Sequence, residues 1–173
     1  MKVEPIHAHS FFTISLGGAF SQILVFDYLD REHYYYKLLE NEEAYRRELG
    51  NLLASMNEIL EEEEIRVNGE SVKAEALTVN LDFRGAAELP TLTFYIEFSG
   101  KLRKGRNSYE CWYEEGVAEY DYEIYWFLPR GFKVIEVDFS GEYEVLAGRL
   151  LAIWVRRGER YRGYERIVFE FMD

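Results

Sequence analysis

Over most of its length this chain alternates apolar and polar residues with a period of two, and a single stretch departs from that rhythm. A two-residue period puts successive side chains on opposite faces of a strand, whereas a helix needs apolar residues three and four apart. The exception is "KLLENEEAYRRELGNLLASMNEILEEEE", where Leu38, Tyr45, Leu49, Leu52, Leu53, Met56, Ile59 and Leu60 recur at helical spacing. The spacing predicts one long amphipathic helix over 37–63. Gly50 inside it costs about 1 kcal/mol relative to Ala. Glu61–Glu64 close it, and since the macrodipole disfavours anions at that end, they read as a solvated, fraying terminus.

Around the helix the alternation predicts strands. "SFFTISLGGAFSQILVFDY" reads as a hairpin over 10–28, with Gly17–Gly18 supplying the turn. After the helix an antiparallel meander is expected over 65–172. Asn68–Gly69 marks a two-residue hairpin that pairs Ile65 with Val72. "TLTFYIEFSGKL" alternates cleanly, and a turn at Lys104–Gly105 would set Phe98 against Cys111 and Ile96 against Tyr113. That register makes Cys111 a core residue. The apolar positions are odd-numbered through Tyr113 and even-numbered from Ala118, so the pleat must break, and Glu114–Gly116 is the natural place for a bulge or a corner. The expected fold is α+β: a curved antiparallel sheet or barrel of about seven or eight strands with one long amphipathic helix, in a single domain over 1–173.

The candidate sites begin with "AEYDYEIYW" and the turn "LPRG". If that turn closes a hairpin, Ile124 faces Ile135, Tyr122 faces Val137 and Tyr120 faces Phe139. Glu119, Asp121 and Glu123 would then share the other face with Glu136 and Asp138. Like charges directly opposite destabilise a sheet, so something must offset them. Three readings are open: solvent, pairing with arginines such as Arg149 and Arg166, or a bound cation. Carboxylates on barrel strands resemble those of the triphosphate tunnel enzymes. The chain lacks that family's N-terminal Glu-x-Glu-x-Lys, and the likeness covers one strand pair. A second option for a metal is the His7-x-His9 pair, completed by His33 or Glu4. Tyr34–Tyr36 and the Tyr/Arg mixture of Tyr161, Arg162, Tyr164 and Arg166 have the composition of base-stacking surfaces. Gly17–Gly18 opens no phosphate-binding loop, because a strand and not a helix follows it.

Composition bounds the function classes. Apolar residues make up 48% and aromatics 17%, a globular content. The net charge of −12 repels polyanions, although "KLRKGR" and "RRGERYRGYER" gather basic side chains locally. A charged fraction of 30% with a single glutamine resembles thermophile composition. One cysteine, no signal-like segment and no membrane-length apolar run point to a cytoplasmic protein away from membranes. No motif calls for a cofactor. The leading reading is a non-catalytic binding or interaction protein, with a small apolar ligand in the sheet's concavity or a protein partner on the acidic face. The alternatives are a divalent-metal-assisted enzyme using the acidic strand pair, and a single-stranded nucleic-acid binder using the two basic loops.

Overall fold

The computed structural model describes residues 3–171, so the outermost residues of the expected domain, 1–2 and 172–173, lie outside the described residues. The N-terminal hairpin joins β1 (Glu4–Ile14) to β2 (Ala19–Leu29). Gly18 takes φ +84° at its turn, a conformation that favours glycine. Where one helix over 37–63 was expected, there are two: α1 (Tyr34–Leu38) and α2 (Glu42–Glu62). Asn41 separates them. Its backbone is extended and its side chain accepts a hydrogen bond from the Ala44 N–H at 3.0 Å, so it caps α2 instead of continuing α1.

The remaining strands are β3 (Glu64–Val67), β4 (Glu70–Val72), β5 (Glu75–Phe83), β6 (Pro90–Ser99), β7 (Gly105–Trp112), β8 (Gly116–Val117) and β9 (Asp121–Phe127). They are followed by β10 (Phe132–Asp138), β11 (Glu142–Leu146), β12 (Leu150–Val155), β13 (Arg160–Tyr161) and β14 (Tyr164–Phe171). They form neither a meander nor a closed barrel. One sheet runs β11-β12-β9-β1-β2-β6-β5 and a second runs β10-β14-β7-β3-β4, with a small β13-β8 ribbon at one end. Among the described residues every pairing is antiparallel except β1 with β9, which is parallel.

Two expected hairpins are therefore corrected. β6 and β7 do not pair: β6 lies between β2 and β5, while β7 lies between β14 and β3 in the other sheet. Phe98 and Cys111 still share a core, because they meet across the two sheets and not along one ladder. Likewise β9 pairs with β1 and β12, whereas β10 pairs with β14. The turn at Leu128–Gly131 exists, with the Phe132 N–H donating to the Pro129 carbonyl at 3.2 Å. It carries the chain from one sheet to the other. The parity break at Glu114–Gly116 marks a third crossing of this kind, from β7 through β8 to β9. The Asn68–Gly69 hairpin pairs Ile65 with Val72 as expected from its turn.

The main core fills the space between the sheets. Phe12 stacks on Trp126 at 4.1 Å, and Tyr109 from the facing sheet reaches Trp126 at 4.6 Å. Each such ring removed from water contributes roughly 1.5–3 kcal/mol. Ile124, Val137 and Phe139 pack on this core, but Ile135 is 39% exposed. A register shift between Val134 and Glu136 explains it: the extra residue is turned out, and the inward positions change from Phe132 and Val134 before it to Val137 after it. The second core lies where α1 and α2 cover the β6–β5 end of the larger sheet, through Tyr35, Met56 and Leu60 against Ala76, Val79 and Phe94. Asn57 fastens the helix there, accepting from the Ala76 N–H at 2.8 Å and donating to its carbonyl at 3.1 Å. A shift between Ala76 and Thr78 interrupts the β5–β6 ladder at that point.

Candidate functional site

A cavity of about 230 Å³ opens between the two sheets, beside the main core. Ser10 and Gln22 from β1 and β2 form one wall, where the Gln22 amide donates to the Ser10 hydroxyl at 3.0 Å. Tyr109, Cys111 and Glu165 from β7 and β14 form the opposite wall. Glu63, the residue that ends α2, closes one side. Tyr113, Tyr120 and Tyr122 are shared with a second cleft, which continues past Ile59, Val117 and Glu119.

The polar side of this cavity follows from strand register. Glu165 sits opposite Cys111 on β7, and Cys111 sits opposite Ile65 on β3, so all three project between the sheets. Glu165 is buried, and its carboxylate accepts a hydrogen bond from the Tyr109 hydroxyl at 2.9 Å. The Cys111 thiol points at the Glu63 carboxylate, 3.9 Å away. Burial is the chief cause that lifts both carboxyl groups to a pKa of about 7, against an ordinary 4.5. The Tyr109 bond opposes the rise at Glu165 and the neighbouring Glu63 charge adds to it, while the Cys111 bond opposes the rise at Glu63. Burial also pushes the Cys111 thiol and the Tyr113 and Tyr122 hydroxyls upward, with Glu165 the next cause for each. These hydroxyls and the thiol stay protonated at neutral pH. The site therefore offers two acceptors that titrate near neutrality inside a ring of neutral aromatic donors.

Sequence reasoning passed over both acids. Glu63 belonged to a run read as solvated, and Glu61, Glu62 and Glu64 are indeed exposed, but Glu63 is half-buried against Cys111. Glu165 stood in a stretch read for its arginines. The signal that could have found it is its parity with Ile167 and Phe169, which are both fully buried.

The five carboxylates singled out from sequence are not gathered on one face. Asp121 and Glu123 lie on β9 in the larger sheet, Glu136 and Asp138 on β10 in the smaller one, and Glu119 is exposed just before β9. Glu123 is aligned with His9 and Trp154, and Glu136 with Val168. Asp121 accepts from the Arg157 N–H at 2.8 Å and lies 3.5 Å from Arg156; the backbone bond is the first cause holding its carboxyl below the ordinary value. Asp138 pairs with Arg162. Glu136 pairs with Arg106 and, at 3.3 Å, with Arg166, which also approaches Glu110 at 3.9 Å. Arg149 instead donates to the Leu128 carbonyl at 3.0 Å and covers the Phe127 ring. The basic stretches thus meet acids of the same molecule: Lys101 pairs with Glu70 at 3.4 Å, and Arg106, Arg156, Arg162 and Arg166 take the partners just named. His7 and His9 share the outer face of β1, while His33 lies before α1 within 3.8 Å of Glu88.

No family model matches the chain, and no curated protein matches it in sequence. Solved structures resemble it at low identity. The folded domain of LppM from Mycobacterium tuberculosis is 8% identical with a TM-score of 0.47, covering 100% of this chain and 94% of that one. An M1 zinc metallopeptidase from Deinococcus radiodurans is 10% identical with a TM-score of 0.40, covering 96% of this chain and 42% of the peptidase. An aminopeptidase N family protein from Idiomarina loihiensis gives 10% and 0.40, covering 93% and 29%. This chain spans less than half the length of either peptidase.

Proposed function

We propose that the protein is a non-catalytic binder of a small ligand, held between the two sheets, whose apolar body carries a protonated amine. The observation that supports this reading most directly is the pair Glu63 and Glu165, facing one cavity among Tyr109, Tyr113, Tyr120 and Tyr122. Two carboxyl groups whose pKa values are raised by burial are stabilised as anions by a cation placed between them. Aromatic faces add attraction for an ammonium group, on the order of 0.5–2 kcal/mol. The cavity of about 230 Å³ seats a compact ligand, and the cleft that continues past Ile59 and Glu119 leaves room for a longer tail. A cytoplasmic location accords with the lone, buried thiol of Cys111. Among the described residues no helix is long and apolar enough to cross a membrane.

The competing readings have less behind them. A metal-assisted reaction at the acidic strand pair needs carboxylates that converge, and these are divided between two sheets. A nucleic-acid surface needs available cations, and many of those in the basic stretches are engaged by carboxylates.

Calorimetric titration with phenethylamine, its neutral alcohol isostere and a carboxylate of similar size tests the reading. The amine is expected to bind saturably and more tightly than the other two, and Glu165→Gln and Glu63→Gln each to weaken it at least tenfold, about 1.4 kcal/mol. Equal binding of amine and alcohol, or amine binding unchanged in both variants, sinks the proposal.

A further inference from the structure

We propose that His7, His9 and Asp27 form a centre for one divalent transition-metal ion, Zn²⁺ by the chemistry of its donors, on the outer face of the larger sheet. The alternation of β1 sends Ala8 and Ser10 inward and leaves His7 and His9 on the opposite face. A register shift between Pro5 and His7 brings His7 directly opposite Asp27 on β2. Bulges of this kind re-aim side chains and recur beside functional sites. One potential ligand atom from each of His7, His9 and Asp27 lies within 4.8 Å of the others. The two imidazole rings are 5.6 Å apart, centre to centre.

The partners of these residues divide their atoms in the way a metal centre requires. His7 Nε2 lies 2.6 Å from Glu123 Oε2, so that nitrogen is taken, and Nδ1 faces Asp27 Oδ2 at 3.6 Å. Asp27 Oδ1 accepts from the Thr91 hydroxyl at 2.7 Å and from Arg84 Nε at 3.1 Å, which leaves Oδ2 for a ligand role. A carboxylate on the far nitrogen of a ligating histidine fixes the tautomer and orients the ring. Two tetrahedral ligands at about 2.0–2.1 Å from zinc stand roughly 3.4 Å apart, close to the His7–Asp27 separation already present. Two imidazoles and one carboxylate suit zinc, whereas Mg²⁺ and Ca²⁺ prefer a shell of hard oxygens. Three protein ligands leave a fourth position. A cavity of about 170 Å³ lined by Ile6, His7, Asp27 and Arg84 adjoins two of the three ligands. His33 takes no part in this centre.

Calorimetric titration of the full chain with ZnCl₂ and, separately, MgCl₂ tests the assignment. The expected result is one Zn²⁺ per chain at micromolar affinity or tighter, with no competition from Mg²⁺. His9→Gln and Asp27→Asn should each weaken binding by at least a hundredfold. Glu123→Gln, which acts through His7, should weaken it roughly ten- to a hundredfold. His33→Ala should bind as the unaltered chain does. In the unaltered protein the imidazole resonances of His7 and His9, and not of His33, should shift on adding Zn²⁺, a readout that depends on no variant folding. The proposal is overturned by the absence of saturable Zn²⁺ binding, by unmoved His7 and His9 resonances, or by full binding in folded His9→Gln and Asp27→Asn.

Discussion

Glu165 and Glu63 carry a pH dependence opposite in sign to that of ordinary surface carboxylates. Their folded-state pKa of about 7 lies above the unfolded 4.5, so between these values the unfolded chain has released protons that the native protein still holds. Stability contributed by the protonated groups is complete below about pH 4.5 and is lost as pH rises through about 7. The melting temperature should therefore fall between pH 5.5 and pH 8, and Glu165→Gln should remove much of that fall. A profile flat or rising over that range in the unaltered protein would contradict the burial argument. At this scale the sequence was readable where parity alone decides. Cys111 is buried, and Asp121 and Glu123 fall on the outer face of β9, as alternation requires. What parity leaves open is the partner. Whether Glu123 meets Glu136 or His7 depends on which strand lies alongside, and that is a property of the ladder.

Elements were legible in type more than in connection. The helical period located α2 but not the stop before it, because Leu38 keeps the spacing while Asn41 ends it through its own side chain. Asn41→Ala should cost about 1 kcal/mol by leaving the first turn uncapped, readable as a lower urea midpoint. Strand partners were misassigned twice for one physical reason. A turn such as Leu128–Gly131 looks the same whether it returns the chain beside itself or lifts it into a facing sheet, and in both cases apolar residues end up against apolar residues. Gly100 shows what such a crossing demands. It lies against Val67 of the facing sheet so closely that a Cβ would come within 2.5 Å of that side chain. Asn107 holds the same crossing from beneath, accepting from the Arg103 N–H at 2.9 Å and donating to the Arg103 and Gly105 carbonyls at 2.8 and 3.0 Å. Gly100→Ala should thus destabilise by roughly 1–3 kcal/mol through overpacking, in the same urea measurement. An unchanged midpoint would mean that the sheets part there at no cost.

On the scale of the whole molecule, one face of the seven-stranded sheet is covered twice, by the smaller sheet at one end and by the helices at the other. Its opposite face presents His7 and His9, with Phe11, Ile23 and Tyr95 exposed beyond them. The central strand of that sheet is the first one made. β1 is flanked by β2, which follows at once, and by β9, whose parallel pairing joins His7 to Asp121 across more than a hundred residues of chain. During synthesis the hairpin of β1 and β2 thus waits with one row of N–H and C=O groups unpaired and with Phe12 lacking Trp126. An open edge of this kind invites pairing with other chains, so the nascent protein is exposed to that hazard until Phe127 has emerged. Closing so long a loop before its contacts reward it also places refolding in the milliseconds-to-seconds range of non-local β topologies. Stopped-flow fluorescence of Trp126 and its neighbours should show that slowness, and a chain ended at residue 118 should remain unfolded, its earliest strand still missing its neighbour.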